Sequence, residues 1–290
     1  MKLLFVGLAT IDVQYTVGRF PKPNSKIKTS SPCIFVGGPS ANAAVACAFL
    51  NGSAHLVTSI GKGEFAPVLE TDFRENRLTV TDLTPGQTQS VIATVITEDN
   101  GDRTIFSPYA GDCDDHRDWK DFFDRHSFDL VMTDGFYPSV AVKIGQEARR
   151  RKIPVIFDGG SWKEYLPALL PWIDVAICSA DFCPPGCLTT AQVKAVLDSY
   201  GIRRMAVTRG AGSVWYSDEG KEGHLPVEPV IARDTLGAGD FFHGAFCYFY
   251  ARLSGGFAES LGKAALLASA TCRTRGTRQW LKLLSPDDFY

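Results

Sequence analysis

The chain has 290 residues, with 30 Lys and Arg against 32 Asp and Glu, for a formal net charge of -2. That length suits one large domain with a substantial core, and the near balance of charge argues against nucleic acid as a partner. No apolar run is long enough to span a bilayer and no signal-peptide pattern follows Met1, so a cytoplasmic protein without a membrane partner is expected.

In chain order, residues 3–8 are an unbroken apolar run that predicts a buried strand. Residues 12–35 then read as extended chain around the loop Pro21-Lys22-Pro23-Asn24-Ser25. Gly37-Gly38-Pro39-Ser40-Ala41-Asn42-Ala43-Ala44 leads into a helix predicted over residues 40–50. Its glycines permit close backbone approach, Ser40 can cap, and Asn42 offers a donor and an acceptor to hydroxyls. Residues 89–107 alternate, with Val91, Ala93 and Val95 on one side, and pass through Asn100-Gly101, a hairpin signal. The 12–35 and 89–107 stretches together predict a small sheet standing off the main one, with a plain edge hairpin as the alternative. Further strands are predicted at 128–133, 154–157, 175–178 and 205–208, with helices at 139–151 and 190–200 between them. This alternation predicts a parallel sheet in an α/β domain, and no linker or repeat divides it. Eight cysteines are scattered without a C-x-x-C pair, so free thiols are expected, and Cys183-Pro-Pro-Gly-Cys187 is at most half a zinc site.

The most informative stretch is Asp234-Thr235-Leu236-Gly237-Ala238-Gly239-Asp240, running into the apolar Phe241-Phe242-His243-Gly244-Ala245-Phe246. Small residues directly before a helix let backbone N–H groups face outward at its partially positive end, which makes an anion cradle. Asp240 falls on the helix's first turn, where its carboxylate can take a proton from a hydroxyl while the Gly237, Ala238 and Gly239 amides hold a phosphoryl group. A glycine-rich loop with a capping Asp is the bland alternative. No G-x-x-x-x-G-K-[ST] is present, so the phosphate site is not a P-loop, and nothing points to a dinucleotide fingerprint.

The last motif resembles the D-T-x-G-A-G-D signature of the PfkB/ribokinase family of carbohydrate and nucleoside kinases, and the Gly37–Ala44 stretch is similar to its G-G-x-x-x-N-x-A signature. The resemblance implies a single ribokinase-like domain over residues 1–290, a three-layer α/β/α fold with a central, mostly parallel sheet and a small β-sheet lid drawn from about 12–35 and 89–107. It implies transfer of the ATP γ-phosphoryl group to a primary sugar hydroxyl, with magnesium, and a homodimer through the lid. Asp12, Gly37, Gly38, Asn42 and Arg103 then correspond to sugar-binding residues, Asp12 to an aspartate at a strand end. Thr208, Gly210, Gly212, Ser179, Thr235 and Gly276 correspond to the nucleotide site, and Asp234 to a site for a monovalent cation such as K+.

The chain also departs from the family's pattern. Ser179-Ala180-Asp181-Phe182 replaces N-x-x-E, which leaves the magnesium partners open, with Asp181 one position from the missing glutamate. Ser59-Ile60-Gly61-Lys62-Gly63-Glu64 replaces G-x-D-x-x-G, and Asp158-Gly159-Gly160-Ser161-Trp162 replaces D-x-N-x-R. A ketose or related sugar is the first-choice acceptor, from segments similar to ketohexokinase-type and modified-fructose kinases. Ribose or a nucleoside comes second, with Phe35, Tyr109 and Phe136 as candidates to clamp a base. A sugar-binding protein without turnover is the third reading.

Overall fold

The computed structural model describes residues 1–83, 89–99, 103–108, 111–113 and 115–290. In chain order the elements are β1 (Lys2–Val6), β2 (Thr10–Val17), β3 (Cys33–Gly37), α1 (Pro39–Phe49), β4 (Ser53–Thr58), α2 (Ala66–Glu75), β5 (Thr79–Asp82), β6 (Ile92–Glu98) and β7 (Arg103–Phe106). They continue with α3 (Trp119–Arg125), β8 (Leu130–Thr133), α4 (Pro138–Arg150), β9 (Val155–Gly159), α5 (Leu166–Leu169), β10 (Val175–Ser179) and α6 (Thr190–Ser199). The chain closes with β11 (Arg204–Arg209), β12 (Gly212–Asp218), β13 (Lys221–Leu225), α7 (Ala238–Arg252) and α8 (Phe257–Thr271). Among the described residues no helix is long and apolar enough to cross a membrane.

Successive side chains of a strand point to opposite faces, so Leu3 and Phe5 enter one hydrophobic core while Leu4 and Val6 enter another. The first core packs α1, α7 and α8 against the sheet, and the second packs α3, α4, α5 and α6. Both faces are covered, which is why the core strands carry no polar alternation. The nine strands run in the order β13-β12-β11-β10-β9-β8-β1-β4-β5, parallel except for β12 and β13 at one edge. The expected three-layer α/β/α architecture is therefore present. Because β1 lies between β4 and β8, the winding reverses there, and the carboxyl ends of the strands at that point form a natural crevice.

Asp134, just beyond β8, ties that crevice together. Its carboxylate accepts hydrogen bonds from the Leu8 amide (2.8 Å), the Ser40 amide (3.1 Å), the Ser40 hydroxyl (2.9 Å) and the Phe136 amide (2.9 Å). Gly7 makes room for it, since a Cβ there would collide with the carboxylate.

The second sheet has the order β3-β2-β6-β7. Its strands overlap the two stretches expected for the lid, with different bounds: β2 already begins at Thr10, β3 runs on to Gly37, and residues 18–32 contain no strand. Asp12 accordingly sits inside this sheet rather than at the end of a core strand. β6 and β7 pair antiparallel on either side of Asn100-Gly101, which lies outside the described residues. Cross-strand register puts Asp12 opposite Phe35 and Ala93. The neighbouring row, Ile34, Val13, Thr94 and Phe106, belongs to the opposite face.

Candidate active site

Two helices bring the functional residues together. α1 and α7 cross so closely that a Cβ on Gly244 would strike the Ala43 carbonyl. The alanine-rich face of α1 and Gly244 are thus required by the approach of two backbones. The contact brings Asn42, on the first turn of α1, to Asp240, on the first turn of α7: Asn42 Nδ2 donates to Asp240 Oδ2 at 2.7 Å. Arg278 fixes the other end of the amide, its Nη1 donating to Asn42 Oδ1 at 2.8 Å. Arg278 is itself held by Asp72 of α2 through Nε at 2.9 Å and Nη2 at 3.0 Å. Only one orientation of the Asn42 amide satisfies both neighbours.

Asp240 opens onto a cleft of about 580 Å³ whose walls include Asp12, Gly38, Asn42, Ala93, Val95, Arg103 and the loop from Thr235 to Gly239. Burial pushes the Asp240 carboxyl up to about 7, with the negative charge of Asp158 adding to the rise and the Asn42 hydrogen bond and His243 opposing it. A carboxylate so raised is a far stronger proton acceptor than an ordinary aspartate. Asp12, on the opposite wall, is raised by burial while the Thr10 hydroxyl, donating at 2.6 Å, and the charge of Arg278 pull it back.

A second cleft, of about 440 Å³, lies on the other side of the same loop. Ser179, Thr208, Gly210 and Ala211 form its polar edge, and Val214, Val227, Phe242 and Ala265 supply apolar surface. Arg103, Thr235, Ala238 and Gly239 line both clefts. The loop is therefore a partition with a cavity on each side.

Gly237 takes the left-handed conformation at the N-cap of α7 (φ 77°). The cradle differs in detail from expectation: the Ala238 amide turns back to the Thr235 carbonyl at 3.2 Å, because the residues before the helix close a tight turn. The amides of Gly237, Gly239 and Asp240 have no such partner among the described residues.

Most of the expected site residues come together: Asp12, Gly38, Asn42, Arg103, Thr235, Gly237, Ala238, Gly239 and Asp240 at the first cleft, and Ser179, Thr208 and Gly210 at the second. Three glycines line neither. Gly37 leaves space for the Asp12 carboxylate, Gly276 (φ 70°) leaves space for the Phe35 ring, and Gly212 opens β12 opposite Arg209. Asn42 lines the first cleft with one amide N–H already given to Asp240 and its oxygen accepting from Arg278. Asp234 braces the loop, its carboxylate accepting from the Leu236 amide at 2.9 Å and the Gly276 amide at 3.0 Å. Asp181 is exposed and lines neither cleft.

Reasoning from the sequence missed Arg278, Asp72 and the apolar walls of the second cleft. Nothing in their local sequence distinguishes them from ordinary surface charge or core helix. Asp158 was legible only as a departure from a motif.

Known proteins share this family and fold. The family model described as pfkB family carbohydrate kinase matches residues 1–282. A deoxyribokinase of Salmonella typhi is 24% identical over 302 residues, covering 96% of this chain and 94% of that protein. Among solved structures, ribokinase from Giardia lamblia gives a TM-score of 0.82 at 18% identity, covering 97% of this chain and 98% of its own. Arabidopsis thaliana ribokinase, solved with ribose and ATP, gives 0.75 at 20% identity, with 97% of each chain covered. These structures share the ribokinase-like fold. With the family model spanning nearly its whole length and the signature residues gathered at one partition between two clefts, the chain belongs to the pfkB family of carbohydrate kinases, phosphotransferases whose acceptor is an alcohol group.

Proposed function

We propose that the protein transfers the γ-phosphoryl group of ATP to the primary hydroxyl of a ketose or related sugar. In this reading Asp240 takes the hydroxyl proton, and the Gly237, Gly239 and Asp240 amides stabilise the transferring group. The observation that carries the reading is the shared wall: Ala238 and Gly239 face both clefts, so a sugar on one side and a triphosphate on the other would meet at the cradle. Use of ATP is supported by the apolar surface of the second cleft, which suits a base, and by the ATP bound to the Arabidopsis ribokinase. Arg103, at the edge of both clefts, is suited to pair with phosphate or with a sugar hydroxyl.

A pentose is the second reading, favoured by the ribokinase and deoxyribokinase names of the relatives. Ketohexoses and pentoses both offer a primary hydroxyl beside a five-membered ring. A nucleoside has less support: Phe35 and Phe136 do not line the first cleft, and Tyr109 lies outside the described residues.

Ser179 lines the second cleft with its hydroxyl donating to the Gly160 carbonyl at 2.7 Å, and Asp181 is exposed and lines neither cleft, so no carboxylate stands here in place of the glutamate. Magnesium is assigned to phosphate oxygens and water brought with ATP, which suits an ion that sheds its waters reluctantly. A potassium-type cation is assigned behind the cradle, on the Asp234 carboxylate and neighbouring backbone; the negative charge of Asp234, held beside the Gly276 backbone, supports it. Dimerisation through the lid is supported by its outer face, where Ile34 and Phe106 are more than half exposed.

ATP consumption with magnesium, measured against ketoses, fructose phosphates, pentoses and nucleosides, tests the proposal with Asp240→Asn as the blank. Turnover on one sugar class that collapses in the variant is expected. No turnover on any acceptor, with sugar binding unchanged by the substitution, would overturn it.

A further inference from the structure

His243 lies on α7 one turn beyond Gly239 and is only 4% exposed. Its Nδ1 lies 2.7 Å from the Gly239 carbonyl and its Nε2 lies 3.1 Å from the Ile177 carbonyl. Carbonyl oxygens only accept, so both hydrogen bonds exist together only when both ring nitrogens carry hydrogen. Only an imidazolium satisfies both contacts at once. A buried cation needs a counter-charge, and the Asp158 Oδ2, itself buried, stands 3.4 Å from Nδ1. Asp158 and Ile177 are register partners on the adjacent strands β9 and β10, so one imidazole ties the first turn of α7 to two core strands.

We propose that His243 and Asp158 form a buried imidazolium–carboxylate pair that positions the Gly237–Gly239 turn on the sheet and balances the charge beneath Asp240. Both are positioning residues: Asp158 and His243 line neither cleft. The proposal rests on the reading of Asp240 as the base. The groups that face Asp240 are Asp158 from β9, His243 from α7, Asp12 from β2 and Asn42 from α1, the last backed by Arg278. Of these, only the pair combines opposite charges in one contact. Asp158, on which the charge of Lys163 also acts, raises the base and His243 lowers it, so removal of either member tips the field in a known direction.

The direct test is the ring nitrogens' NMR signals in the full-length protein labelled with 15N-histidine, His243 being assigned by single replacements of the other four of the five histidines. Both nitrogens of His243 protonated in the folded protein is the expected result, and a neutral ring overturns the pair.

The kinetic test is the pH profile of kcat/KM. Asp158→Asn leaves the cation and should move the acid limb to lower pH, while His243→Gln leaves the anion and should move it higher, each by about half a unit or more. The double variant should return close to wild type. Loss of packing alone would lower activity in both single variants without opposite displacements, and that outcome also overturns the proposal. If Asp240→Asn keeps turnover, the base reading fails and with it the charge-balancing role, while the NMR result still decides the pair itself.

Discussion

Asn42 and Asp240, 198 positions apart in the chain, are joined by a 2.7 Å hydrogen bond from Nδ2 to Oδ2. The bond occupies one oxygen of the carboxylate, and on the proposed reading Oδ1 is the one that takes the hydroxyl proton. Arg278, gripping Asn42 from behind, makes the arrangement single-valued.

Arg278→Ala should therefore lower kcat by about tenfold or more by freeing the Asn42 amide to turn, and should also destabilise the fold by about 3 kcal/mol by stranding Asp72. Arg278→Lys should recover little, because an ammonium cannot hold Asp72 through a fork and reach Asn42 together. Added to Asn42→Ala, the Arg278 replacement should cause little further loss of kcat; a fully additive loss would show that Arg278 acts by another route.

Asp240→Asn should abolish turnover by about 10² or more and stabilise the protein at the same time. The native carboxyl holds its proton up to about 7, whereas the reference carboxyl releases it near 3.8. As pH rises between these values the unfolded chain ionises first, so the wild type loses stability across that window and the amide variant does not. The gap in Tm should widen from about pH 4 to about pH 7 and then level off, and wild-type activity should rise through about pH 7. A constant gap would mean that Asp240 is not raised by its surroundings.

His55 predicts the opposite slope. It lies on β4 among the Phe122, His126 and Phe128 rings, and burial lowers it to about 4 from 6.5. The ring is neutral when folded and takes up a proton when unfolded, so stability is lost as pH falls from 6.5 through about 4. Urea unfolding of His55→Leu should show a flatter acid dependence than wild type, at the expense of the Thr81 hydrogen bond at 2.8 Å.

Gly244→Ala should destabilise despite the gain in helix propensity of about 1 kcal/mol. Its methyl would strike the Ala43 carbonyl, and forcing the helices apart costs about 1–3 kcal/mol. Activity should fall further than stability alone explains, since the same displacement separates Asn42 from Asp240. Thermal unfolding and kcat measured on one preparation separate the two effects.

The core strands and the helices at Pro138–Arg150 and Thr190–Ser199 were legible because a sheet covered on both faces writes itself as short apolar runs. The lid was legible from period-two alternation, though its first strand starts earlier because Thr10 and Ile11 are as buried as core residues. The stretch proposed as base and cradle drew notice because such chemistry demands contiguous small residues and one carboxylate. Asp72, Arg278, Asp158 and His243 act through contacts between elements distant in sequence, and no local pattern encodes those. Gly37 and Gly276 looked like binding glycines because a glycine that clears a neighbour's side chain is indistinguishable in sequence from one that admits a ligand.

The partition at Ala238 and Gly239 carries a consequence for descent as well as for chemistry. One cavity is walled by the small sheet and α1, the other by the turn between β11 and β12 together with α7 and α8, and only a few residues belong to both. On the proposed reading, substitutions in the small sheet other than at Arg103, which lines both clefts, can thus remodel which alcohol is accepted while the donor half stays intact. A lineage built this way can diversify its substrates without reinventing its energy source.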